Sequence, residues 1–204
     1  NNPTHQGVVL TSTNDTRLAL NKEIREHLQA NGLLNSDTIQ HQGKGLAVGE
    51  RIVFLTNDRG QFHVKSSSGE FAVKNGTQGT IENIEPILIA DEKRDRNGRL
   101  IAEREMSSQL TVRINDKERL TFNLSDYKHI DHAYALTGHK SQGQTVDWSM
   151  VHLSKNLDAY GLYVMMTRHR DDVTLYHNKE EVASFSKFAD NIRVGYKDLA
   201  ADYT

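Results

Sequence analysis

Nine residues, TGHKSQGQT at 137–145, set three hydroxyls, two side chains able to carry positive charge and two glycines next to one another. Thr137, Ser141 and Thr145 supply the hydroxyls, and His139 and Lys140 the charge. Gly138 and Gly143 let backbone N–H groups come close to a phosphate, which side chains would otherwise obstruct. The chemistry on offer is recognition of a phosphodiester or a nucleotide. It is not that of a P-loop, because G-x-x-x-x-G-K-[ST] occurs nowhere in the 204 residues. Downstream, MTRHR places Arg168 and Arg170, whose planar guanidinium forks match phosphate oxygens better than a lysine does. Plainer readings stand beside these. His139 and Lys140 can form an exposed turn with no ligand, and Arg168 can pair with Asp171 or Asp172, which contributes about 0–1 kcal/mol at a surface.

Such residues need elements to hold them. AYAL precedes the loop as a strand, so the loop sits at a strand's carboxyl end, where open α/β sheets bind their ligands. GVVLTS at 7–12 is a β-branched run that predicts a strand. Leu20, Ile24 and Leu28 then recur every four residues, and Asn31-Gly32 makes a C-terminal cap, so a helix is expected between. Beyond Gly43 the helical period gives way to short alternating runs, GERIVFLTND, GTIENIEP, QLTVRIND and RLTFNLSD, with turns at KNGTQG and Asn115-Asp116. Short strands at that density read as a small β-barrel. Within it, residues 87–106 are nearly symmetric about Asn97-Gly98 and predict a long two-stranded ribbon tipped by Lys93, Arg94, Arg96 and Arg99. Asp91, Glu92 and Asp95 dilute that charge, and the tip reads as a solvated hairpin ahead of a DNA contact.

From HAYALT (132–137) the alternation of strand and helix resumes, with a strand at 149–154, a helix at 159–169, a strand at 171–177 and a last helix at 179–193. The chain therefore reads as α/β, with residues 1–44 and 131–204 forming a parallel-type layer around an inserted barrel at 45–130. Tyr134, Tyr160, Tyr163, Met165 and Met166 are expected in its core. The formal net charge of −2 means that any nucleic-acid contact must come from a local patch. No cysteine is present, the ten histidines lack metal-ligand spacing, and no metal site is expected. No apolar run reaches the roughly 18 residues of a membrane span, so the expected location is the cytoplasm and no membrane contact is anticipated. The chain opens without methionine directly into a strand, which reads as a piece of something longer.

YALTGHKSQGQTVD together with YVMMTRHRDDVTLY resembles motifs V and VI of RecD-like superfamily 1 DNA helicases. With FLTNDRG, AVKNGTQGTIENI and LTVRINDKERLTFNLSDYKHIDHAYALTGHKSQGQTVD, the likeness extends to the carboxyl-terminal helicase region of Ti-type conjugative transfer relaxases, the TraA and MobA/MobL group. That resemblance implies a second RecA-like helicase domain carrying an inserted SH3-like β-barrel. It implies ATP and Mg²⁺ held mainly by a first RecA-like domain outside this sequence, with an upstream relaxase domain as a further partner. Arg168 then matches the arginine finger, with Arg170 second. Gln142, Gly143 and Thr145 match the nucleotide side, and Thr137, His139 and Lys140 match contacts to single-stranded DNA or the coupling of both sites. One departure stands out, since relatives with T-R-x-D after the first strand have an arginine where this chain has Asn14; Arg17 and Arg25 are the possible substitutes. Two other readings stay open: a degenerate helicase-like module that binds DNA or recruits partners without ATPase activity, and a RecD-type recombination or repair helicase.

Overall fold

The computed structural model describes residues 7–94, 100–141, 145–155, 157–190 and 192, with the backbone alone over 90–94 and 100–104. In chain order the elements are β1 (Gly7–Thr11), α1 (Asn14–Ala30), β2 (Thr38–His41), β3 (Lys44–Ala47), β4 (Arg51–Phe54), β5 (Lys65–Ser66) and β6 (Gln78–Arg94). There follow β7 (Leu100–Arg113), β8 (Arg119–Asn123), β9 (Ile130–His132), β10 (Ala135–Thr137), β11 (Val146–Leu153), α2 (Ala159–Met166) and β12 (His169–His177). By backbone proximity they form two compact units, residues 1–26 with 133–204, and residues 27–132.

The first unit is a parallel sheet in the order β10-β1-β11-β12. Val8, Leu10, Leu136, Val151 and Leu153 make its buried apolar layer. Thr13 starts α1: its Oγ1 accepts the Thr16 N–H at 3.2 Å, satisfying one of the donors a helix start leaves open. At the other end Gly32 takes φ +66°, and the Leu33 N–H reaches back to the Leu28 carbonyl at 2.9 Å, a Schellman closure at the predicted Asn31-Gly32 cap. The face α1 turns inward differs from the expected line of leucines. Leu20, Ile24 and Leu28 are only half-buried, whereas Arg17 and Asn21 are almost fully covered.

Three boundaries move from their expected places. HAYALT divides, because Asp131 and His132 pair with Val53 and Ile52 in the antiparallel sheet while Ala135 starts β10. The helix expected over 159–169 stops at Met166, where Thr167 closes it and His169 already opens a strand. The last helix begins at 185 and not at 179. Asn178 holds the preceding residues in a turn through the Glu180 and Val182 N–H groups, and Ser184 caps the start by accepting the Lys187 N–H at 3.2 Å. Residues 191 and 193 lie outside the described residues.

The second unit is built on an antiparallel sheet in the order β5-β8-β7-β6-β4-β9, beside a β2–β3 hairpin. That hairpin turns on Gln42 and Gly43, both at positive φ, the requirement of a tight two-residue turn between twisted strands. Ile52, Phe54, Ile81, Leu110, Val112, Leu120 and Phe122 alternate inward along their strands to form the core. Tyr127 sits among them, with Phe54, Phe62 and Phe122 edge-on at 5.2–5.6 Å, and its hydroxyl donates to the Thr56 carbonyl. Burial pushes the Tyr127 phenol up from its ordinary value, against the hydrogen bond to Thr56, which lowers it. The expected ribbon is present as continuous pairing of β6 with β7 out to Arg94 and Leu100. Its turn at 95–99 and the side chains of its basic tip fall outside the described residues.

Candidate functional site at the two edges of the parallel sheet

The segment 138–145 leaves the carboxyl end of β10 and enters the amino end of β11, passing from one edge of the parallel sheet to the other. An eight-residue strand such as β11 spans about 25 Å. The candidate residues therefore divide into two groups that do not meet.

At the carboxyl edge, Thr137 is buried, and its carbonyl accepts the Ser141 N–H at 3.0 Å while its Oγ1 faces the Lys140 N–H at 3.4 Å. Ser141, also buried, donates its hydroxyl to the Gly138 carbonyl at 2.7 Å. Gly138 itself donates to the Thr11 carbonyl at 3.1 Å and lies over Met165, which a Cβ at this position would approach to 3.2 Å. These bonds make a closed turn that leaves His139 and Lys140 exposed. Thr137 thus shapes the turn, and its two neighbours face outward from it. Beside them, Ser12 at the end of β1 shares a 2.7 Å hydroxyl contact with Ser154 after β11. Thr11 Oγ1, fully buried on the strand between, has no hydrogen-bond partner among the described residues.

At the amino edge, Thr145 is exposed, and the next residue, Val146, donates its N–H to the Arg168 carbonyl at 2.9 Å. The two motifs read from sequence are thereby joined through their backbones. The Arg168 side chain is half-buried and turned along its own helix, with Nε donating to the Val164 carbonyl at 2.7 Å and Nη2 to Thr167 Oγ1 at 3.2 Å. It caps the last turn of α2. Arg170 is exposed and faces Asp147 at 3.6 Å. Gln142 and Gly143, the other nucleotide-side candidates, lie outside the described residues.

Two expectations change here. Tyr160 and Tyr163 are 66 % and 67 % exposed, not core, because α2 is apolar all round and only Met165 and its neighbours can face the sheet. Tyr134 and Met165 are buried as expected. Arg17, a suggested substitute for the arginine absent at Asn14, is 5 % exposed with Nε on Asn14 Oδ1 at 3.3 Å, which holds it away from a surface ligand.

One residue with a direct hold on the site carried no motif. Asn21 accepts the N–H groups of Tyr134 and Ala135 and donates to the carbonyls of Arg17 and Ala135, all at 2.9–3.0 Å. It fixes the strand that leads into the 137–141 turn. An asparagine in line with Arg17 and Ile24 on a helix face was the available signal.

No family model matches the sequence. A probable conjugal transfer protein TraA of Sinorhizobium fredii is 31% identical over 98% of this chain, and a conjugal transfer protein TraA of Agrobacterium fabrum is 31% identical over 93%. The chain is similar, nearly end to end, to one segment of TraA. It spans only 16% and 15% of the length of those two relatives. Among solved structures, the Pif1 helicase of Candida albicans covers 96% of this chain at 17% identity and a TM-score of 0.45, and this chain covers 50% of it. A Bacteroides Pif1 in complex with ADP-AlF3 and ssDNA covers 97% at 20% identity and a TM-score of 0.43, with 47% of that chain covered. At such scores the likeness carries no further weight.

Proposed function

We propose that this chain is the second RecA-like motor domain, with an inserted SH3-like barrel, of an ATP-driven 5′-to-3′ DNA helicase or translocase within a longer conjugative-transfer relaxase of the TraA kind. The observation that carries this reading is the division of the 137–145 segment between the two edges of the parallel sheet. His139 and Lys140 stand exposed at one edge, and Thr145 is bonded through Val146 to the Arg168 carbonyl at the other. A motor needs that separation, since it must relate a strand contact on one side to a phosphate contact on the other.

In this reading the strand runs past His139 and Lys140, with Thr137 shaping the turn. ATP and Mg²⁺ are held mainly by a first RecA-like domain in the longer protein. When bound there, Mg²⁺ would offset negative charge on the transferring phosphoryl group. Arg168 supplies a second positive charge from across the cleft, with Thr145 at the same edge, and Gln142 and Gly143 keep the nucleotide-side role that the resemblance implies for them. To reach a phosphate, the Arg168 guanidinium exchanges the Val164 carbonyl for a phosphate oxygen. The carbonyl is a neutral acceptor, whereas a phosphate adds the attraction of opposite charges and can take two parallel N–H bonds from one guanidinium, so the exchange is favourable once the nucleotide is present.

The test is single-stranded-DNA-stimulated ATP hydrolysis by the longer protein. Arg168→Ala is expected to reduce turnover by about 10³-fold or more, as loss of an arginine finger does, with DNA binding unchanged. Turnover that survives the substitution removes Arg168 from the chemistry. A second reading, a DNA-binding module without ATPase activity, is favoured by Asn14 at the expected arginine position and by the docked Arg168 side chain. DNA binding by a wild-type protein that hydrolyses no ATP selects it.

A further inference from the structure

The carboxyl edge of the parallel sheet holds a cavity of about 370 Å³, within the size range of small-ligand sites. Gly138 and His139 of the 137–141 turn form one side, and Asp158 and Tyr160 at the start of α2 form the other, above a floor that includes Val164 and Met165. Neither lysine nor arginine is present among the described residues that line it, and its one fixed charge is the Asp158 carboxylate. A phosphate is therefore a poor occupant. An apolar floor, an aromatic ring at the rim and an acceptor-only carboxylate suit a flat ring that carries an N–H edge.

The local geometry is built and not incidental. Asp158 Oδ1 accepts the Gly161 N–H at 2.6 Å, which fixes the carboxylate at the rim as the cap of α2. Gly161 is required for that approach, since a Cβ there would stand 2.9 Å from the same oxygen. Asp158 Oδ2 has no hydrogen bond to any described residue and keeps its acceptor capacity. Tyr160 exposes 66 % of its surface beside it, an apolar ring left in water on an element that buries Met165 one turn further on.

We propose that this cavity takes one unstacked nucleobase of a single strand, with the Tyr160 ring against its face and the Asp158 carboxylate accepting from an exocyclic amine. Cytosine, adenine and guanine each present such an amine, whereas thymine presents a single N3–H flanked by two carbonyl oxygens that the carboxylate repels. The assignment rests on the reading of this edge as the strand-facing one. It adds a base-selective contact to an edge whose other exposed groups, His139 and Lys140, address the phosphate backbone without regard to sequence. The adenine of a free nucleotide carries the same chemistry, and the two sources separate by experiment.

The experiment measures binding of short fluorescent oligo-dC, oligo-dT and an abasic strand of equal length at low salt, and of fluorescent ATP, to this chain and to Tyr160→Ala, Tyr160→Phe and Asp158→Asn. Asparagine keeps the helix cap while changing what the rim accepts. Circular dichroism and thermal melting confirm that each variant is folded. Tyr160→Ala is expected to weaken oligo-dC binding about tenfold, as loss of a stacked base contact does, and Tyr160→Phe to leave it near wild type. On the abasic strand wild type and Tyr160→Ala bind alike, and Asp158→Asn narrows the preference for oligo-dC over oligo-dT. If Tyr160→Ala binds oligo-dC as wild type does, the cavity is not a base site, while the strand-facing reading survives. If wild type binds no oligonucleotide, the strand-facing reading fails and this assignment with it. If Tyr160→Ala weakens ATP alone, the base belongs to a nucleotide and the strand assignment is overturned.

Discussion

The side chain of Asn21 holds the peptide groups of Ala135 on both sides: Oδ1 accepts the Ala135 N–H and Nδ2 donates to the Ala135 carbonyl, each at 2.9 Å. The same Oδ1 accepts the Tyr134 N–H at 3.0 Å. One amide thus takes the place of a neighbouring strand along the outer side of β10, two residues before Thr137. Asn21→Ala leaves buried donors and an acceptor unmet, at about 1–3 kcal/mol for each group that water cannot reach. The expected loss is about 2–5 kcal/mol in denaturant unfolding, with faster hydrogen exchange at the Tyr134 and Ala135 amides. A loss below about 1 kcal/mol would mean that water replaces the amide without penalty.

Glu118 gives the second unit a defined response to acid. Its carboxylate is held down to about 2, from an ordinary 4.5, by hydrogen bonds from Ser68 first, then Ser66 and Ser67, against the opposing effect of burial. The Ser66 hydroxyl lies 2.7 Å from Oε1 and the Ser67 N–H 2.9 Å. A carboxyl group whose folded value is depressed contributes stability that is complete above its unfolded value and disappears as pH falls through the folded one. The gap in stability between wild type and Glu118→Gln should accordingly be constant above pH 4.5 and close between 4.5 and about 2. Chemical unfolding across that range measures it, and a gap that does not vary with pH would remove the carboxylate from the account.

Gly7 lies directly beneath the indole of Trp148, its partner in the β1–β11 pairing, and a Cβ there would fall 1.9 Å from Trp148 Cζ2. Gly7→Ala must displace the ring. Trp148 is the chain's one tryptophan, so its emission reports the event without interference. A red shift and a loss of about 1–3 kcal/mol, the usual result of overpacking, are expected. Unchanged emission would show that the strand moves instead.

Arg168 should matter little to stability even if it matters greatly to turnover. Its Nε bond to the Val164 carbonyl is half-exposed, so water competes for it, and Arg168→Ala should cost about 0.5–1.5 kcal/mol of unfolding free energy, below the roughly 1.5–3 kcal/mol of a buried bond from a charged group. Global unfolding of the variant would assign Arg168 to the fold.

Local signals account for what the sequence disclosed. β-branched runs, the Asn31-Gly32 cap and the turn at residues 74–79 each act over a few residues, and they appear where the pattern places them. The ribbon was legible for the same reason, since its symmetry about Asn97-Gly98 is a property of adjacent residues. Ends that depend on partners remote in sequence were not legible. His132 belongs to a sheet only because Ile52 is there to pair with it, and nothing near His132 reports that. Tyr160 and Tyr163 carry the composition of a core helix, and their exposure depends on how much of α2 the sheet covers. The site divided the same way. The loop chemistry was readable as types and spacing, while Asn21, Asp158 and the separation of Thr145 from His139 come from the course of the chain across the sheet.

The strands that end the two sheets differ from those inside them. β10 and β9 have three residues each, β5 has two, and the nine-residue β12 carries Arg170, Asp171 and Asp172 exposed near its start. A strand at the margin of a sheet is a template on which another chain can crystallise its own backbone, and length and flatness make it a better one. Three of these margins offer too few peptide groups for a stable addition, and on one of the three an asparagine already occupies the vacant positions. The fourth meets an incoming strand with one positive and two negative side chains at its start, Arg170, Asp171 and Asp172. The longest unpaired margins belong to the ribbon itself, since among the described residues β6 pairs with β4 only over Gln78–Thr80 and β7 with β8 only over Gln109–Arg113, so beyond those residues the ribbon offers a neighbouring molecule the most peptide groups.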